Sequence, residues 1–156
     1  MKMKKTTLIL ILAFSLFGLQ KSNCYSQNSD GDKILGLWEV GSGKARVKVG
    51  KYGEKYAGKM VWLLNPKYED GTPKVDKNNS DESKRAVPLL GYSILLGFEY
   101  VGNKKWDRGT IYDPENGSTY NCVITLIDDN TLEVRGYIGV SLFGRTDTWK
   151  RVILKK

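Results

Sequence analysis

A chain of 156 residues without a single histidine excludes the Ser-His-Asp and Cys-His catalytic arrangements and the usual zinc sites. Its 25 Lys and Arg outnumber 17 Asp and Glu, a formal charge of +8, but they form no basic stripe interleaved with aromatics, which speaks against nucleic acid as a partner.

Lys2, Lys4 and Lys5 precede an apolar run from Leu8 to Leu19, the charged start and apolar core of a secretory leader. The run is too short to span a bilayer, which takes about 20 apolar residues. Cleavage is expected after Ser26, where Cys24-Tyr25-Ser26 puts small residues at the two positions a signal peptidase inspects. Lipidation at Cys24 is the rival, although Lys21 and Asn23 stand where a lipoprotein signal prefers an aliphatic and a small residue. Residues 1–26 hold four lysines and no acid, so their removal lowers the charge to +4. The expected product is an exported domain over 27–156, periplasmic or secreted, without a transmembrane segment. Cys122 is then its one cysteine, so stability rests on a core and not on a disulfide.

Residues 27–33 are polar and read as a loose lead-in. Beyond them the hydrophobic period is two: Ala45, Val47 and Val49 alternate with Arg46 and Lys48, and Leu132 and Val134 with Glu133 and Arg135. Strands are predicted near 34–40, 44–52, 55–64, 92–101, 105–113, 118–127, 131–140 and 146–154. Turn residues separate most of them, including Gly41-Ser42-Gly43, Tyr52-Gly53-Glu54, Gly102-Asn103 and Asp113-Pro114-Glu115-Asn116-Gly117. The exception is a polar connection at about 65–88 with three of the four prolines, expected to be a lid or a flap, with a short helical turn around 80–85. Eight sequential strands without alternating helices predict an all-β, up-and-down antiparallel barrel, because closure alone removes unpaired edges.

Gly36-Leu37-Trp38 on the first strand, with Arg151 on the last, resembles the lipocalin and calycin signature, which implies that tryptophan and arginine plug one barrel end. Further landmarks follow in order: Tyr56 to Leu63, Asp76 with Asn78, Arg85, Pro88, Leu89, Gly91, Ile111-Tyr112-Asp113-Pro114, Gly117, Tyr120, Arg135-Gly136-Tyr137, Ser141 to Thr146, Trp149 and Arg151. Together these resemble a lipocalin-like family of small exported bacterial proteins classed as domain of unknown function 2147, over about residues 34–152. Asn79 stands where that family usually has proline. The resemblance implies a fold and an exported address but no reaction.

If Trp106 points inward, Arg108, Thr110 and Tyr112 share its face, beside a row of Tyr120, Cys122, Ile124 and Leu126 on the next strand. Arg108, Tyr112 and Tyr120 would then anchor the head of a small hydrophobic, fatty-acid-like ligand whose tail meets Ile94, Leu96 and Phe98. In the other reading Arg108 faces solvent, Ile111 turns in, and the aromatics fill a dry core. Trp62 and Trp149 are expected as core or rim residues and Arg135 on a solvated outer face. Asp76, Asn78 and Arg85 either close the loop through an Asp-Arg pair or serve a partner. Asp70, Asp76, Asp81 and Glu82 lack calcium-loop spacing, so no metal or cofactor is implied, and the chain is not expected to be an enzyme. The alternative to a ligand carrier is an interaction module of the cell envelope working through its outer face and the long loop.

Overall fold

The structure, a computed structural model, describes residues 30–153. The predicted leader and Cys24 lie outside the described residues. Eight strands follow one another: β1 (Gly36–Glu39), β2 (Ala45–Tyr52), β3 (Lys55–Leu63), β4 (Ser93–Gly102), β5 (Lys105–Asp113), β6 (Ser118–Asp128), β7 (Thr131–Tyr137) and β8 (Gly144–Arg151). Each pairs antiparallel with the next, and β1 also pairs with β8 through Trp38↔Arg151 and Glu39↔Lys150, closing a barrel in sequence order. The predicted eight-stranded barrel is therefore present.

Burial follows the period of two. Val47 and Val49 on β2, Cys122, Ile124 and Leu126 on β6, and Leu132 and Val134 on β7 all face one core. One end of that core is sealed by aromatic bulk, with Trp38, Trp106 and Trp149 buried together with Phe98. Residues 27–33 were expected to be a loose lead-in, but Asp30–Ile34 forms a 3₁₀ turn that stoppers this end. Its carbonyls explain the order: Trp38 Nε1 donates to Ile34 O at 2.8 Å and Trp106 Nε1 to Gly31 O at 3.1 Å. Two indole donors thus find partners inside an apolar core, where an unmet donor would cost about 1–3 kcal/mol each.

The Gly36-x-Trp38 spacing also has a local cause. Gly36 has φ +140°, and a Cβ there would come within 2.6 Å of Arg151 Nη1. Only glycine leaves the guanidinium room to lie on Trp38.

Two bulges break the predicted inward rows. Between Trp106 and Gly109, β5 has one residue more than β6, with Arg108 at φ 62°. Trp106 therefore faces the core and so do Gly109 and Ile111, whereas Arg108 is turned out. Gly109 is required there, because a Cβ would meet the Phe98 ring at 2.5 Å. On β4 the register shifts against β3 around Gly97, at φ 77°; Leu95 and Phe98 are buried while Leu96 is exposed.

The long connection between β3 and β4 folds as a strap. Isolated bridges Lys67↔Pro73 and Val75↔Pro88 cross-link it, and Glu82–Lys84 makes a 3₁₀ turn capped by the Asp81 side chain. β7 stops at Tyr137, earlier than predicted, and β8 begins at Gly144; the residues between them are not strand.

Candidate functional site at the open end of the barrel

The connections β1–β2, β3–β4, β5–β6 and β7–β8 gather at the end opposite the tryptophan plug. There the inward-facing residues change character. At the plug they are buried, whereas Val40, Leu63, Ile111, Tyr120 and Gly136 are only half-buried, above a floor made by the buried Met60, Leu95 and Cys122. Register confirms the facing: Gly136 pairs with Cys122, and a Cβ on it would meet Ile111 and Tyr120 at 3.3 and 3.6 Å. These half-buried inward positions make an apolar ring, here termed the cup, above a filled lower barrel.

The eighth strand supplies charge to this cup. Trp149, Asp147 and Arg145 share a face by the strand period, and Trp149 Nε1 donates to Asp147 Oδ2 at 2.8 Å. Asp147 also accepts from Gly41 N at 3.2 Å, so it bridges β8 to the β1–β2 connection where these strands no longer pair. Arg145, opposite Gly136, is exposed at the rim. Tyr120 Oη accepts from Asn116 Nδ2 at 2.9 Å. A cleft runs from the cup along the β1–β8 seam, lined by Glu39 to Gly43 and by Thr146 to Thr148 with Lys150.

The predicted anchors are not brought together. Arg108 lies on the outside, 2.8 Å from Glu99, whose carboxylate also meets Lys55 at 3.1 Å. Of the predicted tail contacts, Phe98 fills the core, Leu96 is exposed, and Ile94, adjacent to inward-facing Leu95, is buried. Tyr112 follows inward-facing Ile111 and so lies on the opposite face, under the strap. Tyr120 alone of the three lines the cup. Trp38 and Arg151 do meet, with the guanidinium 4.1 Å from the ring centroid. Trp149 is in the core, and Trp62 is half-buried beneath the Arg46 guanidinium at 4.5 Å.

The strap's polar set closes differently from the expected Asp-Arg pair. Asp76 is fully buried, accepting from Tyr112 Oη at 2.7 Å and Asn79 Nδ2 at 2.6 Å. Asn79 Nδ2 also donates to Tyr92 Oη at 3.2 Å, and the two tyrosine rings stand 5.4 Å apart. Burial, then the Asp76 carboxylate, push the Tyr112 phenol well above its ordinary range, and the same two causes raise Tyr92. Both phenols therefore keep their protons, and Tyr112 gives its hydrogen bond to Asp76. Arg85 instead donates through Nε to Asn79 O at 2.8 Å and pairs with Glu82 at 3.0 Å. Asn78 Nδ2 reaches Glu115 O at 2.8 Å, clasping the strap to the β5–β6 turn. Asn79, Tyr92, Arg145 and Asp147 were missed as candidates; for Asn79 the signal was the asparagine in place of the family's proline.

Closed, filled at one end and cupped at the other, this is a lipocalin-like β-barrel. The chain belongs to the family described as an uncharacterized protein conserved in bacteria (DUF2147), whose model matches residues 36–151. It is similar to the solved structure of protein HP1028 from the human pathogen Helicobacter pylori, described as belonging to the lipocalin family. The TM-score is 0.68 at 22% identity, over 77% of this chain and 83% of that chain. No curated protein matches the chain.

Proposed function

We propose that this protein is an exported binding protein that holds a small amphipathic ligand in the cup at the open end of its barrel. The observation that carries this reading is the half-buried apolar ring of Val40, Leu63, Ile111 and Tyr120 on inward-facing positions of a barrel otherwise filled by buried side chains. An apolar concavity with a few polar groups at its edge is the usual form of a small-molecule site. Arg145 takes the part first assigned to Arg108: a guanidinium at the rim suits an anionic head group, with the tail on Ile111 and Leu63. Binding rather than catalysis fits the strap carboxylates weighed for acid-base work, which are tied up locally: Asp70 by Thr72, Asp76 by Tyr112 and Asn79, Asp81 by Ser83 and Glu82 by Arg85. The leader-like start supports export.

The test is titration of the folded protein with a fluorescent fatty acid, alongside solvent extraction of native protein and mass measurement of what co-purifies. Arg145→Ala is expected to weaken binding by about fivefold to tenfold, the range of one charge-assisted contact, and Arg108→Ala to leave it unchanged. Absence of binding to a chain with native near-UV dichroism would remove the proposal. A second reading, an envelope interaction module, is favoured by the filled lower barrel, which leaves ligand space only near the rim.

A further inference from the structure

We infer that the β7–β8 loop is a membrane-docking tip that seats the open end of the barrel on an anionic lipid surface. Ile138, Val140, Leu142 and Phe143 are 71, 60, 78 and 72% exposed, four large apolar side chains within six residues. Scattered apolar residues on a surface are ordinary, but a contiguous set marks a contact. This set is held out deliberately. Gly139 takes φ 69°, and Phe143 N donates to Val140 O at 3.1 Å. Arg135 divides its fork between the loop and the start of β8: Nε to Ser141 O at 2.8 Å and Nη2 to Leu142 O at 3.2 Å in the loop, and Nη1 to Thr146 Oγ1 at 2.9 Å on β8. The backbone is fixed from below while the side chains face outward.

Charge and size select a bilayer over a protein. From Val134 to Thr146 the charged residues are Arg135 and Arg145, with no carboxylate. The next acid, Asp147, is engaged by Trp149 and Gly41, and the rim carboxylate Glu115 is paired with Lys44 at 3.3 Å. An apolar tip flanked by guanidinium groups matches the layering of acyl chains under anionic head groups. Stable protein interfaces enlist about 20–30 residues a side; a six-residue tip does not approach that, whereas insertion into lipid needs no complementary surface. The tip sits at the same end as the cup, so docking would bring the cup to the lipid, but it stands without any ligand in the barrel.

Vesicle co-flotation tests this, with phosphatidylcholine alone and mixed with phosphatidylglycerol. Residues 1–26 carry an apolar run of their own, so wild-type and variant chains are prepared identically and compared. Wild type is expected to float with the mixed vesicles, less as salt rises, and Leu142→Asp with Phe143→Asp to lower partitioning at least about tenfold. Both positions are exposed, so the fold is retained, as unchanged near-UV dichroism would verify. A dye on Ser141→Cys, made specific by adding Cys24→Ser because Cys122 is buried, should shift to the blue on vesicles. Equal flotation of the double variant would overturn the inference. So would failure of the wild type to float, or a dimer in solution that the same substitutions abolish without any vesicle binding.

Discussion

The Arg151 guanidinium lies 4.1 Å over the Trp38 ring and donates at once to Lys33 O, Leu35 O and Asp129 O, at 2.7, 2.8 and 2.6 Å. One side chain thereby ties the last strand, the first strand, the 3₁₀ stopper and the β6–β7 turn. Arg151→Ala removes a partly desolvated cation–π contact and three charge-assisted bonds, and is expected to cost about 2–4 kcal/mol. Arg151→Lys keeps the charge but loses the planar fork and should recover less than half. Urea unfolding followed by tryptophan fluorescence measures both; a loss under about 1 kcal/mol for the alanine variant would show that the plug does not hold the barrel closed.

The buckle formed by Asp76 and Tyr112 makes a separate prediction, because the carboxylate is held by neutral donors. Asp76→Asn and Tyr112→Phe should each destabilise, and their double-mutant cycle should return a coupling of about 1–3 kcal/mol. Screening acts on charge pairs reaching solvent, so this coupling should hardly change with salt. A coupling that disappears at high salt would mean that an ion pair, not a hydrogen bond, closes the strap.

How far the sequence shows these arrangements depends on where periodicity holds. The strands and their order are legible because alternation and turn residues are local signals, and the Trp38–Arg151 plug was implied by the resemblance of Gly36-Leu37-Trp38 and Arg151 to the lipocalin signature. The bulges are not: an extra residue at Arg108 leaves the composition of β5 unaltered and yet inverts the facing of all that follows, so Ile111 and not Tyr112 enters the barrel. The strap was legible as a long polar loop, but its partners were not, since Asp76 meets Tyr112 across 36 positions of sequence. The stopper at Asp30–Ile34 hides in a polar stretch because its work is done by backbone carbonyls.

Arg108 offers a direct test of that inversion. It holds φ 62°, which disfavours a side chain by about 1–2 kcal/mol, against an exposed ion pair with Glu99 that contributes about 0–1 kcal/mol. Arg108→Gly should therefore be neutral or stabilising by about 1 kcal/mol in thermal unfolding. A loss above about 1 kcal/mol would point to a role for the guanidinium that its outward position does not provide.

Alkaline pH should loosen the fold. Burial pushes the Cys122 thiol up to about 12 from an ordinary 9, with Asp107 adding a smaller push. Above about pH 9 the unfolded chain loses this proton first and the folded chain keeps it, so stability is complete below that pH and falls as pH rises toward 12. Tyr112 and Tyr92, raised from 10, act in the same direction. The thiol alone gives a slope of about 1.4 kcal/mol per pH unit, which Cys122→Val should remove from the pH dependence of urea midpoints. The Cys122 thiol should also resist alkylation at pH 8 and react on unfolding; fast labelling of Cys122 in the folded protein, located by peptide mapping, would refute its burial.

The clasp between strap and barrel can be opened without touching a polar side chain. Gly117 closes the β5–β6 turn at φ 71°, and a Cβ there would overlap the carbonyl oxygen of Asn78. Gly117→Ala thus combines backbone strain with a steric clash, and should cost about 1–3 kcal/mol. Because the clash falls on backbone, the strap and not a side chain must move, breaking the Asn78 bonds to Pro114 and Glu115. Limited proteolysis is expected to cut within residues 64–92 several times faster in this variant than in wild type, while the tryptophan plug at the far end keeps its fluorescence. Asn78→Ala removes the side-chain bonds without the clash and should accelerate cutting less. Equal protease resistance in Gly117→Ala and wild type would show that the strap is retained by Asp76 and Tyr112 alone.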